Sequence, residues 1–235
     1  MQAMSIVADL LMGVVKGGLP DELPMNPMRI VREWFDDAKA SEKYDDPNAM
    51  SLASATLDGV PSSRIVLCKA MDDTRIVFYT NYEGRKGREI LANPRVAAVF
   101  HWPHANRQAR VEGIVEVGIE AESEAYFASR PMLSKLGAWA SRQSAPMASR
   151  SDLVDAVGET VARFGKELAM HPSGSTIPKP PFWGGFQIFP NAVELWAGAK
   201  GGRLHDRARW TRTLAGTKGC DPSGWSAWSA TRLFP

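Results

Sequence analysis

The sequence predicts a mainly β protein of the α+β class, an antiparallel barrel carrying helical additions. Three observations predict it. Strand-like runs follow one another through tight turns, helical runs come as separate insertions without βαβ alternation, and no glycine-rich phosphate or dinucleotide loop is present. A doubly wound parallel sheet is therefore disfavoured.

The first helix is expected from Met28 to about Ser41. Asn26 is placed to cap it, Pro27 suits the first turn, and Ile30, Val31, Trp34, Phe35 and Ala38 share one apolar face that needs a sheet beneath it. Three strands follow as a meander, Ala49 to Thr56, Ser63 to Ala70 and Arg75 to Thr80, punctuated by Asp58-Gly59 and Asp72-Asp73. Gly84 to Ala92 reads as a short helix stopped by Asn93-Pro94. Arg95 to Trp102 and Arg107 to Val117 read as two strands joined across Pro103. Helices are expected at Glu120 to Ser129 and Ser151 to Leu168, with the intervening SKLGAWASRQS giving a weaker signal. A Pro/Gly/Ser loop from His171 to Pro181 leads to strands at Gly185 to Ala197, Arg207 to Thr213 and Trp225 to Leu233. WGGF, Trp183 to Phe186, marks a strand start where another part of the backbone comes close.

A chain of 235 residues with 44% hydrophobic content supports one domain, placed at 24–235, behind an N-terminal arm at 1–23. The arm's MSIVADLLMGVV lacks a basic start, contains Asp9 and is too short to span a bilayer, so it reads as a short helix or a mobile arm. No later run reaches about 18 apolar residues, and a soluble, cytoplasmic protein is expected. Cys68 and Cys220 make no disulfide framework and read as free thiols of a reducing compartment. A net charge of +2 is too mild for nucleic acid or an acidic membrane, so any cationic function is local. His101 and His104 in HWPH lack a placed carboxylate or thiolate, and no metal site is expected.

The cations form four separated clusters. In FYTNYEGRKGREI, Arg85 and Lys86 stand at the start of a helix, where they oppose the dipole unless an anion sits between; a solvated basic face is the plain alternative. In AYFASRPMLSKLGAW, Tyr126, Arg130 and Ser134 recur at helical spacing, a phenol, guanidinium and hydroxyl that suit a phosphate monoester; the alternative is a core tyrosine and a surface ion pair. SSRIVLCK brackets apolar residues with Arg64 and Lys69. GGRLHDRARW adds three arginines and a histidine. One phosphate does not need all four.

These residues together resemble the pyridoxamine/pyridoxine 5′-phosphate oxidase family. The motifs that carry the resemblance are RIVLCK, FYTN with RKG, NRQARVEG, the SRP-S-GAW-S-QS stretch, WGGF, the run from Trp196 to RLHDR, and a terminal RLFP, in order from about Pro24 to Pro235. The resemblance implies an antiparallel Greek-key split β-barrel that binds FMN, and a homodimer with FMN at the subunit interface. It places FMN on Arg64, Ile65, Val66, Leu67, Cys68, Lys69, Tyr79, Thr80, Arg85, Lys86, Gln108, Gln143, Ser144, Trp196 and Arg207. It places substrate on Lys69, Tyr126, Arg130, Ser134, Arg203 and His205, the last two beside the reacting carbon as the catalytic pair. Asp206 is read as a counter-ion.

The implied reaction oxidises pyridoxine or pyridoxamine 5′-phosphate to pyridoxal 5′-phosphate with dioxygen as acceptor, giving hydrogen peroxide. Three alternatives stand beside it: an oxidase of another ring system of the phenazine-pathway type, a split-barrel reductase using a deazaflavin, and a flavin-binding protein without turnover. The sequence departs from the family pattern twice. Met1 to Pro20 holds no match to an Arg/Tyr-bearing lid, and AGAKGG before Arg203 is one residue longer than usual.

Overall fold

Helix α1 (Met28–Ala40) forms where the apolar stripe predicts it, and buries Met28, Ile30, Val31, Trp34, Phe35 and Ala38. The Asn26 side chain accepts the Met28 amide at 3.0 Å, which occupies one of the donors a helix start leaves unpaired. The computed structural model describes residues 18–172, 176–199, 205–214 and 222–235. Among these, nine strands form one sheet with antiparallel pairing throughout.

The strands are β1 (Ala49–Ala55), β2 (Pro61–Leu67), β3 (Ala70–Met71), β4 (Ile76–Asn81), β5 (Arg95–Trp102), β6 (Arg107–Val117), β7 (Trp183–Ala197), β8 (Asp206–Thr211) and β9 (Ser229–Leu233). β7 is the spine. One of its edges pairs with β6 along its length, while the other pairs first with β4 (Trp183–Ile188) and then with β8 (Ala192–Ala197). Between the two halves the register skips Asn191, because Glu112 faces Ala192 and Gly113 faces Pro190. A bulge of this kind bends and twists a ladder, and it curls the sheet into a half-barrel. Gly113 is required there, since a Cβ would stand 2.4 Å from the Phe189 carbonyl oxygen.

The concave side and α1 share one core, in which Leu52, Phe78, Phe100, Trp102, Phe186 and Trp210 are fully or almost fully buried. Burial of each such side chain is worth about 1.5–3 kcal/mol. A second cluster, Phe127, Leu136, Phe164, Ile177 and Trp183, forms where helices α3 (Glu120–Ser129) and α4 (Met132–Ala140) lie near the start of β7. The remaining helices are α2 (Arg85–Ala92), α5 (Arg150–Arg163) and α6 (Gly165–Met170).

Several expected boundaries move, each for a local reason. The strand expected at Ser63 to Ala70 starts at Pro61 and breaks after Leu67: the Cys68 amide bonds to Asn48 and the Lys69 amide to Val77, so the chain crosses from β1 to β4. The helix expected over Ser151 to Leu168 breaks at Phe164, whose ring turns into the second cluster 5.5 Å from Trp139. SKLGAWASRQS contributes a helix that ends at Ala140. The last strand begins at Ser229 instead of Trp225. Of the N-terminal arm, the described part is docked: Leu19 is buried, its amide bonds to Asp206, and Arg232 reaches the carbonyls of Pro20 and Asp21. Asp206 also pairs with Arg232 at 2.8 Å, the counter-ion role expected of it.

Candidate active site

A cavity of about 700 Å³ opens between β2, β4 and the α3–α4 pair. Eleven residues expected at the site line it, Ile65, Val66, Leu67, Lys69, Tyr79, Thr80, Lys86, Tyr126, Arg130, Ser134 and Gln143. They come from segments far apart in sequence, brought together because β4 pairs with β7 and the helices close over that end. At Gly184 of the WGGF segment the close neighbour is a side chain, not backbone. A Cβ on Gly184 would lie 2.1 Å from the Tyr82 hydroxyl, which itself donates to the Gly185 carbonyl at 3.0 Å.

In the cavity Lys86, in the first turn of α2, donates to Thr80 Oγ1 at 2.9 Å and to Gln143 Oε1 at 2.7 Å. Both partners are neutral. Burial, then the nearby Arg64 charge, pull the Lys86 pKa below its ordinary value, so an anion here would relieve an uncompensated cation. Arg64 and Arg85 do not line the cavity. Both converge on Glu89, at 3.3 and 2.8 Å, and Arg64 also bonds Ser54 and Ser62. Burial pushes the Glu89 carboxyl up, but hydrogen bonds from Ser54, Ser62, Arg85 and Arg64 outweigh it and hold the group down at about 2.

A second cation of the cavity, Arg130, caps α3 in extended conformation, and Pro131 separates it from α4. α3 thus ends at Ser129, as expected, and Tyr126, Arg130 and Ser134 come from α3, the junction and α4, yet all three line one cavity. The guanidinium lies 4.9 Å from the Trp183 ring centre and 5.5 Å from that of Phe127. Its Nη1 is buried without a hydrogen-bond partner, and burial lowers its pKa. Lys69 Nζ stands 5.9 Å from the Tyr126 ring. Tyr79, Tyr126 and Trp183 form a near-parallel group, with Tyr79 stacked 4.1 Å from Tyr126 and 5.5 Å from Trp183.

The other expected residues lie elsewhere. Cys68 is buried with its thiol on the Ala70 carbonyl, and burial raises it to about 12, so it is inert in this setting. Ser144 is exposed with a left-handed φ of 67°. Gln108, Trp196, His205 and Arg207 gather at the far end of β7: Gln108 is opposite Trp196 in the ladder, Trp196 is opposite Arg207, and the His205 ring lies 4.6 Å from Trp196. The Ala199 amide donates to His205 Nδ1, and Arg207 pairs with buried Glu194 at 2.8 Å. Arg203 and Cys220 lie outside the described residues.

Sequence reasoning missed Glu89, Glu194, Asn81, Ser141 and the cavity face of Trp183. Glu89 carried a usable signal, four residues after Arg85 on a helix. Glu194 carried none, since it sits inside an apolar strand run. Among the described residues no group of three or more metal-binding side chains occurs, and no helix is long and apolar enough to cross a membrane.

A curled antiparallel half-barrel defines a split-barrel protein, and among the described residues no carboxylate lies within ion-pair distance of the cavity's Lys69, Lys86 or Arg130. Residues 36–162 match the family described as pyridoxamine 5′-phosphate oxidase, and residues 183–235 match the pyridoxine 5′-phosphate oxidase C-terminal dimerisation region. The chain belongs to the pyridoxamine 5′-phosphate oxidase family. It is 47% identical over 210 residues to the pyridoxine/pyridoxamine 5′-phosphate oxidase of Rubrobacter xylanophilus, covering 89% of this chain and 87% of that one. The protein of that name from Cupriavidus taiwanensis is 43% identical over 99% of this chain and all of its own. Among solved structures, PhzG of Burkholderia lata 383, in complex with tetrahydrophenazine-1-carboxylic acid, superposes with a TM-score of 0.75 at 27% identity, covering 93% of this chain and 100% of that one. A pyridoxamine 5′-phosphate oxidase-related, FMN-binding protein from Nostoc punctiforme shares the fold, with a TM-score of 0.62 at 15% identity over 89% and 98% of the two chains.

Proposed function

We propose that the protein is an FMN-dependent oxidase that converts pyridoxine 5′-phosphate and pyridoxamine 5′-phosphate to pyridoxal 5′-phosphate. The alcohol loses two hydrogens to dioxygen as hydrogen peroxide; the amine does the same and then exchanges its nitrogen with water, releasing ammonia. The observation that carries this reading is the single cavity lined both by Lys69, Tyr126, Arg130 and Ser134 and by Lys86, Thr80 and Gln143. Two cationic groups suit two phosphorylated molecules.

The residues fit FMN. A cavity of about 700 Å³ lies in the range of cofactor sites, Lys86 faces only neutral acceptors, and Arg130 Nη1 is an unpaired buried donor. Lys86, with Arg64 and Arg85 behind it, holds the flavin phosphate, while Thr80, Gln143 and the Ile65–Leu67 strand border the rest. When bound, the flavin supplies two-electron acceptance from the substrate carbon and delivery to dioxygen. The protein supplies position. Lys69, Tyr126, Arg130 and Ser134 fix the substrate phosphate through charged and hydroxyl donors. Arg203 stays cationic at any working pH and orients the substrate at the reacting end, and His205, its Nδ1 occupied by the Ala199 amide, offers Nε2 as a hydrogen-bonding group.

The remaining expected contacts belong to a homodimer. Gln108, Trp196, His205 and Arg207 sit at the end of β7 opposite Trp183, roughly 40 Å along the strand, so within one chain they stand apart from the cavity they are meant to complete. A partner protomer supplies them, in keeping with the dimerisation region matched by residues 183–235.

The likeness to PhzG raises a second reading, oxidation of a ring substrate without phosphate. Hydrogen peroxide release measured with pyridoxine, pyridoxamine and their phosphates separates the two. Sites built around a polar group reject analogues that lack it by large factors. A specificity constant at least about a hundredfold higher for the phosphorylated forms is expected; equal constants overturn the assignment.

A further inference from the structure

Arg130 differs from most arginines of the structure. Arg64 and Arg85 are held by Glu89, Arg75 by Asp72 and Glu122, Arg107 by Asp37, Arg207 by Glu194 and Arg232 by Asp206. Among the described residues no carboxylate lies within ion-pair distance of Arg130, and its Nη1 is buried with no hydrogen-bond partner. An unpaired buried donor is costly, so something must hold the group in place and something must later use it.

What holds it is aromatic. The guanidinium lies over Trp183 at 4.9 Å, and Trp183 is only 6% exposed, fixed edge-on by Phe127 at 5.1 Å and stacked beside Tyr79 at 5.5 Å. The physical difference from a carboxylate is decisive. A carboxylate fixes a guanidinium by taking its in-plane N–H donors and cancelling its charge, whereas a ring face attracts the cation from above and leaves every in-plane donor available. We infer that Trp183 is a positioning residue for the substrate's phosphate group, acting through Arg130: its indole face holds the guanidinium in the cavity with Nη1 left unpaired. The inference rests on the reading that Arg130 receives that phosphate. It also gives WGGF a second duty, in which Gly184 admits the Tyr82 hydroxyl while the tryptophan seats the arginine.

The test is steady-state kinetics of the FMN-loaded dimer with pyridoxine 5′-phosphate, together with inhibition by inorganic phosphate, for Trp183→Leu, Trp183→Phe and Arg130→Met. Loss of a desolvated cation–π contact predicts that Trp183→Leu raises KM about tenfold and weakens phosphate inhibition by the same factor, with kcat changed by less than about twofold and FMN content normal. Trp183→Phe, which keeps a smaller and weaker ring face, is expected to raise KM only about threefold over the parent. An unchanged KM and phosphate inhibition in Trp183→Leu overturn the inference. So does a fall in kcat alone, or equal damage in the leucine and phenylalanine variants, since either marks a packing role. If Trp183→Leu does not fold, Trp183→Phe decides: a KM raised by about threefold is expected, and an unmoved KM refutes it. Arg130→Met with unchanged KM removes the phosphate assignment and the inference with it; a raised KM in Arg130→Met beside an unmoved KM in Trp183→Leu removes the inference alone.

Discussion

Lys86 and Arg85 are neighbours in sequence with opposite fates. Arg85 turns back along α2 to Glu89, whereas Lys86 turns inward to two neutral oxygens. Their motif shows the charge of both and the destination of neither, since only the packed helix decides which side chain faces the cavity. If Lys86 carries the flavin phosphate, Lys86→Ala removes a charged hydrogen bond worth about 1.5–3 kcal/mol and weakens FMN binding roughly ten- to hundredfold. Fluorescence titration of the apoprotein with FMN measures this; an unchanged dissociation constant takes Lys86 out of the site. Arg130 makes the complementary point. Its spacing from Tyr126 and Ser134 picked out three residues that share one cavity, although α3 ends at Ser129, as expected, and Pro131 stands between Arg130 and Ser134.

At the scale of elements, α2 is tied to the sheet edge through one carboxylate. Glu89 accepts from Ser54 of β1 at 2.6 Å and from Ser62 of β2 at 2.5 Å, as well as from Arg64 and Arg85. Its folded-state pKa lies below the ordinary 4.5, at about 2. The stabilisation it gives is thus complete above the unfolded value and is withdrawn as pH falls from about 4.5 toward about 2. Glu89→Ala leaves Arg64 half-buried without its acid and is expected to destabilise the fold by about 3 kcal/mol at neutral pH. Denaturant melts across this pH window are expected to show the parent losing stability on acidification more steeply than the variant. Parallel acid limbs in the two proteins reject the role. The elements themselves were largely readable from periodicity and turn residues. What was not readable was where a strand changes partners, as at Cys68-Lys69, because both sides of that junction have the same local preference for extended chain.

At the scale of the molecule, β7 separates two groups of site residues by its own length. If each cavity is completed by Gln108, Trp196 and Arg207 of the partner protomer, defects on the two sides complement each other. Lys86→Ala and Arg207→Ala homodimers are each expected to be impaired. Equal co-expression makes half of the dimers mixed, each with one cavity built wholly from unaltered residues, so about a quarter of parental activity returns. No recovery in purified mixed dimers rejects the shared site.

The sequence by itself determined the local features: the apolar stripe of α1, the turn residues, the strand periodicity, the motifs that carry the family resemblance, and the residue types able to hold phosphate. These depend on neighbours within a few positions, where propensity and side-chain period act. Tertiary structure alone decided which of those residues share a cavity. Lys86 meets Gln143 across 57 positions, Arg130 meets Trp183 through the closing of α3 over β7, and the bulge at Asn191 sets the register that divides β7 between β4 and β8. Such contacts follow from how the sheet curls and what the helices must bury, a balance struck over the whole chain, and no stretch of sequence contains it.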